Sequence, residues 1–214
     1  MSYIPWYVTT IRLVVPFLIL RFPLLGILAS MVADGADWIL IGVTSNEIDA
    51  VYQNWDKAMD SYSFLFIVWV VWHWRDSWTR SVALGLFGYR ILGVVLFWIT
   101  GTRAMLFFFP NVFENFVIVC LILFGMSKRK KLNLNPMQKA LMLSVLIVPK
   151  MIQEYFQHFL GRQPWEIYSF GSWLGFQGTA LYLINPFLWG TLLYVIPITA
   201  FSLYIRRTKY TGVR

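Results

Sequence analysis

Charge, cysteine and histidine are what this chain has little of. Only 13% of its 214 residues are charged, against roughly 25% in ordinary soluble domains. So small a polar inventory cannot cover a globule in water, which excludes a typical soluble fold. The single cysteine, Cys120, excludes an intrachain disulfide and lies inside an apolar run. Two histidines, His73 and His158, stand far apart in the chain. With one cysteine they supply no ligand set for zinc, haem or copper. No nucleophile elbow, glycine-rich phosphate loop or zinc-protease helix occurs. The N-terminus opens without a basic cluster, so the first apolar segment reads as a retained helix and not a cleaved signal.

What the chain does have is apolar and aromatic: 58% hydrophobic residues and 19% aromatic. Several runs approach the roughly 20 residues that a helix needs to cross a bilayer. Lipid offers the backbone no hydrogen-bond partners, so spanning segments are helices or closed barrels. These runs are continuous, not alternating, which excludes the barrel. The expected fold is an all-α polytopic membrane helix bundle of about seven spans, forming a single transmembrane domain over residues 1–214. The segments are expected at residues 4–20, 24–43, 53–74, 78–100, 102–125, 136–160 and 186–204. A kink is expected at Pro110, and Pro136 fits a first-turn position. Gly85, Gly88 and Gly93 are expected to let helices approach closely.

The formal charge is +8, but its placement argues against nucleic acid as a partner. Basic residues collect at segment ends, as in Lys128-Arg129-Lys130-Lys131 and Arg206-Arg207. That pattern orients a chain in the lipid bilayer, with anionic lipid headgroups at the basic loops as partners. Both clusters belong in the cytoplasm, so an even number of crossings separates them. Segments 136–160 and 186–204 already supply two. Residues 161–185, rich in Trp, Tyr and Gly, are therefore expected to be interfacial or re-entrant. The same count places the N-terminus and the loop at Thr44–Asn54 outside and the C-terminus in the cytoplasm.

Ionisable groups inside a membrane cost several kcal/mol each and mark function by default. Asp37 and Asp34 should lie about 9 and 14 Å from the outer end of their segment. Asp56 and Asp60 share a face one and two turns into the next. Arg12, Arg90, Glu114, Lys150, Glu154 and His158 also fall in or near the outer halves of their segments. Lys150, Glu154 and His158 form one stripe, and Asn111 and Asn115 flank Glu114. Charges scattered at random would not gather on one side of the midplane. A purely structural account would pair them, Asp34 with Arg90 or Glu114 with Lys150. Counted together, Asp34, Asp37, Asp56, Asp60, Glu114 and Glu154 outnumber Arg12, Lys57, Arg90 and Lys150 by two. Four aspartates on adjacent segments suit a hard divalent cation such as Mg²⁺ or Ca²⁺.

Asp34-x-x-Asp37 followed by Asp56-x-x-x-Asp60 resembles the motif of the CDP-alcohol phosphatidyltransferases. Thr10-Ile11-Arg12-Leu13-Val14-Val15-Pro16 is likewise similar to that family's first helix. The resemblance covers about the first 65 residues. Trp38 stands where the family has glycine, and Tyr52 replaces its later glycine. By resemblance Asp34, Asp37 and Asp56 would be metal ligands, and Asp60 both ligand and catalytic base. The family acts on lipid substrates and carries its site in the cytoplasm, opposite to the side that the charge count implies here. Glu154 and His158 are further candidate catalytic groups. Arg12, Arg90, Asn111, Glu114, Asn115 and Lys150 are candidate substrate-binding groups. The expected function is a metal-dependent lipid phosphotransferase. A non-enzymatic cation-binding transporter, channel or membrane assembly subunit is the alternative.

Overall fold

Proline decides where the first helices stop. A computed structural model describes residues 4–41, 50–126, 131–160 and 164–211. The loop at Thr44–Asp49, the run Lys128–Lys130 and residues 161–163 lie outside the described residues. The described residues are helical, with turns and short links but no strand among them. By its contacts the chain divides into two compact units, Met1–Leu132 and Asn133–Arg214.

In the N-terminal unit, helix α1 runs Trp6–Val14 and α2 runs Phe17–Arg21. The expected unbroken helix over residues 4–20 is thus corrected to two pieces. Pro16 has no N–H to donate to the carbonyl of Arg12, four residues back, and its ring crowds that turn. Helix α3, Pro23–Ile41, then folds back against α2. A Cβ at Gly26 would lie 2.3 Å from the Ile19 nitrogen and 2.6 Å from its Cα. The obstacle is backbone, so it cannot rotate away. Gly26→Ala is expected to cost about 2 to 3 kcal/mol, the upper part of the overpacking range. Thermal unfolding of the purified protein in detergent would measure it. An unchanged midpoint would mean that α2 and α3 are not so close.

Helix α4, Ala50–Trp72, is the centre of the unit and packs on α1, α2 and α3. Phe64, Ile67 and Val71 recur at helical spacing and are buried. Helix α5, Ser77–Thr100, starts on the Asp76 carboxylate, which accepts from Thr79 N at 3.0 Å and from Leu132 N at 3.0 Å. It ends at Gly101, whose left-handed φ of +65° closes the helix. The segment expected over residues 102–125 is broken, not merely kinked, into α6, Ala104–Phe108, and α7, Phe113–Met126. The Phe113 ring of α7 meets Phe64 edge-on at 5.6 Å.

Pro110 explains that break. It cannot donate to the carbonyl of Leu106, and the last carbonyls of α6 are left without helical partners. Side chains of α5 serve them instead. Arg90 donates to Leu106 O at 3.4 Å and to Phe109 O at 2.8 Å, and Tyr89 donates to Phe108 O. Of the three glycines expected to admit a close neighbour, only Gly93 has one. A Cβ there would fall 2.2 Å from Phe109 Cβ, while Gly85 and Gly88 face nothing within 4 Å.

In the C-terminal unit, α8 spans Pro136–His158 and opens on a reciprocal cap. Gln138 N donates to Asn135 Oδ1 at 2.8 Å, and Asn135 N donates to Gln138 Oε1 at 3.1 Å. Two single turns follow, α9 at Pro164–Ile167 and α10 at Phe170–Trp173. Helix α11, Gly178–Gly190, continues through a π-helical turn at Thr191–Val195 into α12, Ile196–Thr211. The last helix therefore begins at Gly178, eight residues before the expected start at Pro186. Asn185 explains the difference by tying the preceding turns to the helix. Its Oδ1 accepts from Gly171 N at 2.7 Å and its Nδ2 donates to Ser169 Oγ at 2.8 Å. Trp189 Nε1 donates to Tyr168 O at 2.8 Å while its ring packs on Phe170 at 4.9 Å.

Among the described residues three stretches are long and apolar enough to cross a membrane: Ser77–Thr100, Ala104–Gly125 and Ile184–Thr208. Two large side chains on them, Ile99 and Phe187, are each 76% exposed, as lipid-facing residues would be.

Candidate functional site

Arg12 sits at the middle of the N-terminal unit's charges. The α1 helix points it toward α3 and α4, where it is only 3% exposed. One guanidinium nitrogen, Nη1, bonds Asp34 and lies 3.5 Å from Asp37. The other, Nη2, donates to Asp60 at 2.9 Å and stands 3.6 Å from Asp56. A fork of two nitrogens serving four carboxylates is a task for Arg and not Lys. Its flat face lies over the Trp55 ring, 6.0 Å from the centroid. Lys57 adds a second cation, with Nζ 2.5 Å from Asp56 and 3.1 Å from Asp60.

The helical spacings explain the convergence. Asp34 and Asp37, three apart on α3, share the face turned to α1. Asp56 and Asp60, four apart on α4, share another. Oxygens of Asp34, Asp56 and Asp60 all lie within 4.8 Å of one another, a spacing that suits a metal ion. Asp37 is outside that triad and turned to Arg12. It is 1% exposed, and its Oδ2 has no hydrogen-bond donor.

Beside the triad is a small cavity of about 30 Å³, room for an ion or a water. Arg12, Ser30, Asp34, Asp60, Asn111 and Glu114 line it, together with Ser63. Asn111 Nδ2 donates to Glu114 Oε2 at 2.7 Å. The Pro110 break brings these two residues here, because it swings the start of α7 toward α3 and α4. Five of the residues singled out from sequence thus share one place: Arg12, Asp34, Asp60, Asn111 and Glu114. Asn115 lies on the first turn of α7, next to Glu114.

One expectation changes. Asp34 is paired with Arg12, whereas Arg90 donates through Nη1 to the carbonyls of the broken helix. Arg90 is thereby a buried support of the backbone beside the cavity and not a lining residue. Glu114 and Lys150, expected as a pair, belong to separate units, the first to Met1–Leu132 and the second to Asn133–Arg214.

Lys150, Glu154 and His158 form their own line along α8. Glu154, 3% exposed, accepts from Lys150 Nζ at 3.2 Å and His158 Nε2 at 2.8 Å. Lys150 also donates to Gln153 Oε1 at 3.1 Å, which takes a second bond from Tyr194 in the π-helical turn. Sequence reasoning overlooked Ser30, Ser63 and Tyr194. The first two could have been found by spacing: Ser30 precedes Asp34 by one turn and Ser63 follows Asp60 by one.

No family model matches this chain, and no curated protein or solved structure matches it either.

Proposed function

We propose that the chain is an integral membrane protein whose N-terminal unit binds a divalent cation. The observation that carries this reading is the meeting of Asp34, Asp56 and Asp60 beside an oxygen-lined cavity. Four carboxylates share two bonded cations, Arg12 and Lys57, which leaves two negative charges. The carboxylate, amide and hydroxyl oxygens there are hard donors, the chemistry of Mg²⁺, Mn²⁺ or Ca²⁺. The expected result is a rise in thermal stability with millimolar Mg²⁺, Mn²⁺ or Ca²⁺, as binding to the native state requires. Asp56→Asn with Asp60→Asn should abolish it. An equal response in the double variant would reject these carboxylates as the site.

A second reading is favoured by the paired Asp-x-x-Asp and Asp-x-x-x-Asp spacings, which resemble a lipid phosphotransferase. In that reaction the metal neutralises charge developing on phosphate, and Asp60 takes the proton of an acceptor alcohol.

With the single turns α9 and α10 set aside, the described helices make seven rods if α1 joins α2, α6 joins α7 and α11 joins α12. We read all seven as spans, with the N-terminus outside and the C-terminus and basic loops in the cytoplasm, against anionic lipid. A cysteine at Ser45 should react with an impermeant reagent from outside, and one at Asn133 should be protected. Labelling of Ser45→Cys only after lysis would invert the topology and favour the phosphotransferase reading.

A further inference from the structure

The aspartate triad is already served by Arg12 and Lys57, so an ion at its centre would have to displace them. The adjoining cavity shares Arg12, Asp34 and Asp60 with the triad and adds polar groups of its own from α3, α4 and the start of α7. Ser30 is 6% exposed and lines it, yet its Oγ has no hydrogen-bond partner. Asn111 also lines it, and with Nδ2 committed to Glu114 its Oδ1 is buried with no donor. A buried amide oxygen and a buried hydroxyl left without partners are costly in a protein interior. Both have a reason to be there if they take a ligand. An amide oxygen only accepts, so what it meets is a donor or a cation. The remaining wall supplies the carboxylates of Asp34, Asp60 and Glu114 and the hydroxyl of Ser63, with the Arg12 guanidinium and Met31 beside them. Neutral and anionic oxygens from three helices, around room for one ion, are the ligand set of a hard divalent cation.

We propose that a divalent cation sits in this cavity, held by Ser30, Asp34, Asn111 and Glu114, with Arg12 and Lys57 left in place on the aspartates. The inference rests on the cation-binding reading above and moves the ion from the triad to its neighbour. It also gives the Pro110 break a purpose. An unbroken helix would carry Asn111 and Glu114 on a single continuous rod, whereas the break aims both at α3. Arg90 holds the broken ends so that the two ligands stay fixed. Asp56 becomes a partner of the two basic residues and not a ligand.

Mn²⁺ titration of the purified full chain in detergent separates the possibilities, by calorimetry or by the spectrum of the bound ion. Ser30→Ala and Asn111→Ala should each weaken Mn²⁺ binding at least tenfold, and Asp56→Asn should weaken it by less than either. The reverse pattern would overturn this placement and leave the ion in the triad. No Mn²⁺ binding by the wild-type chain would remove both readings. Should the two alanine variants not fold, Ser30→Cys supplies a thiolate at the same position. It should raise affinity for Cd²⁺ at least tenfold over wild type, because thiolate prefers a soft ion. A Ser30→Cys protein with no gain toward Cd²⁺ would overturn the placement on its own.

Discussion

Arg12→Met is expected to destabilise the N-terminal unit by about 3 to 5 kcal/mol, the usual cost of removing one partner from a buried ionic network. Methionine fills similar space, so little of the loss would be a packing defect. What it lacks is the fork that bonds Asp34 and Asp60 while standing 3.5 Å from Asp37 and 3.6 Å from Asp56. Lys57 alone would then face four carboxylates, two of which it does not touch. Arg12→Lys should recover only part of the loss, since one ammonium cannot reach both helices in the same way. Unfolding in detergent, followed through the fluorescence of the chain's 11 tryptophans, would measure each variant. A methionine variant as stable as wild type would show that the carboxylates do not depend on Arg12.

Glu154→Leu should cost a similar amount, about 3 to 5 kcal/mol, in the C-terminal unit. Glu154 is the shared acceptor for Lys150 and His158, and its side chain is 3% exposed. Leucine in its place takes the carboxylate away from an ammonium that is itself 13% exposed, leaving it the neutral Gln153 oxygen. His158 has the easier escape of becoming neutral. Replacing Lys150 with methionine alongside Glu154→Leu should therefore restore most of the stability. A double variant no better than the single one would mean that Lys150 finds an equal partner elsewhere and does not depend on Glu154. If the restored protein also loses its biological activity, the stripe serves function as well as packing.

Much of the architecture could be read from local signals, since capping and proline rules act within a few residues. The starts of α5 and α8 follow from Asp76 and from Asn135-Pro136, and the two aspartate pairs follow from helical spacing. The break at Pro16 was just as local, but the apolar run continues through it and hides the missing N–H. The pairing of Asp34 with Arg12 was not legible, because hydropathy ranks both Arg12 and Arg90 as buried bases without saying which helix each faces. Arg90 turned to carbonyls freed by Pro110, a demand created by backbone geometry two helices along. The early start of the last helix depended on Asn185, whose contacts to Ser169 and Gly171 span a turn that composition alone marks as irregular.

Where Arg12 finds its partners also bears on how the chain is made. A lone arginine at the centre of an inserting helix costs about 2.5 to 3.5 kcal/mol, and each lone aspartate a similar amount. Neither α1 nor α3 can therefore settle into lipid cheaply as it leaves the ribosome. The debt is relieved only when both sets of carboxylates have arrived, and Asp60 lies 48 residues downstream of Arg12. On the seven-span reading proposed above, the first three rods would enter the bilayer together, as one ion-paired package, and not one after another.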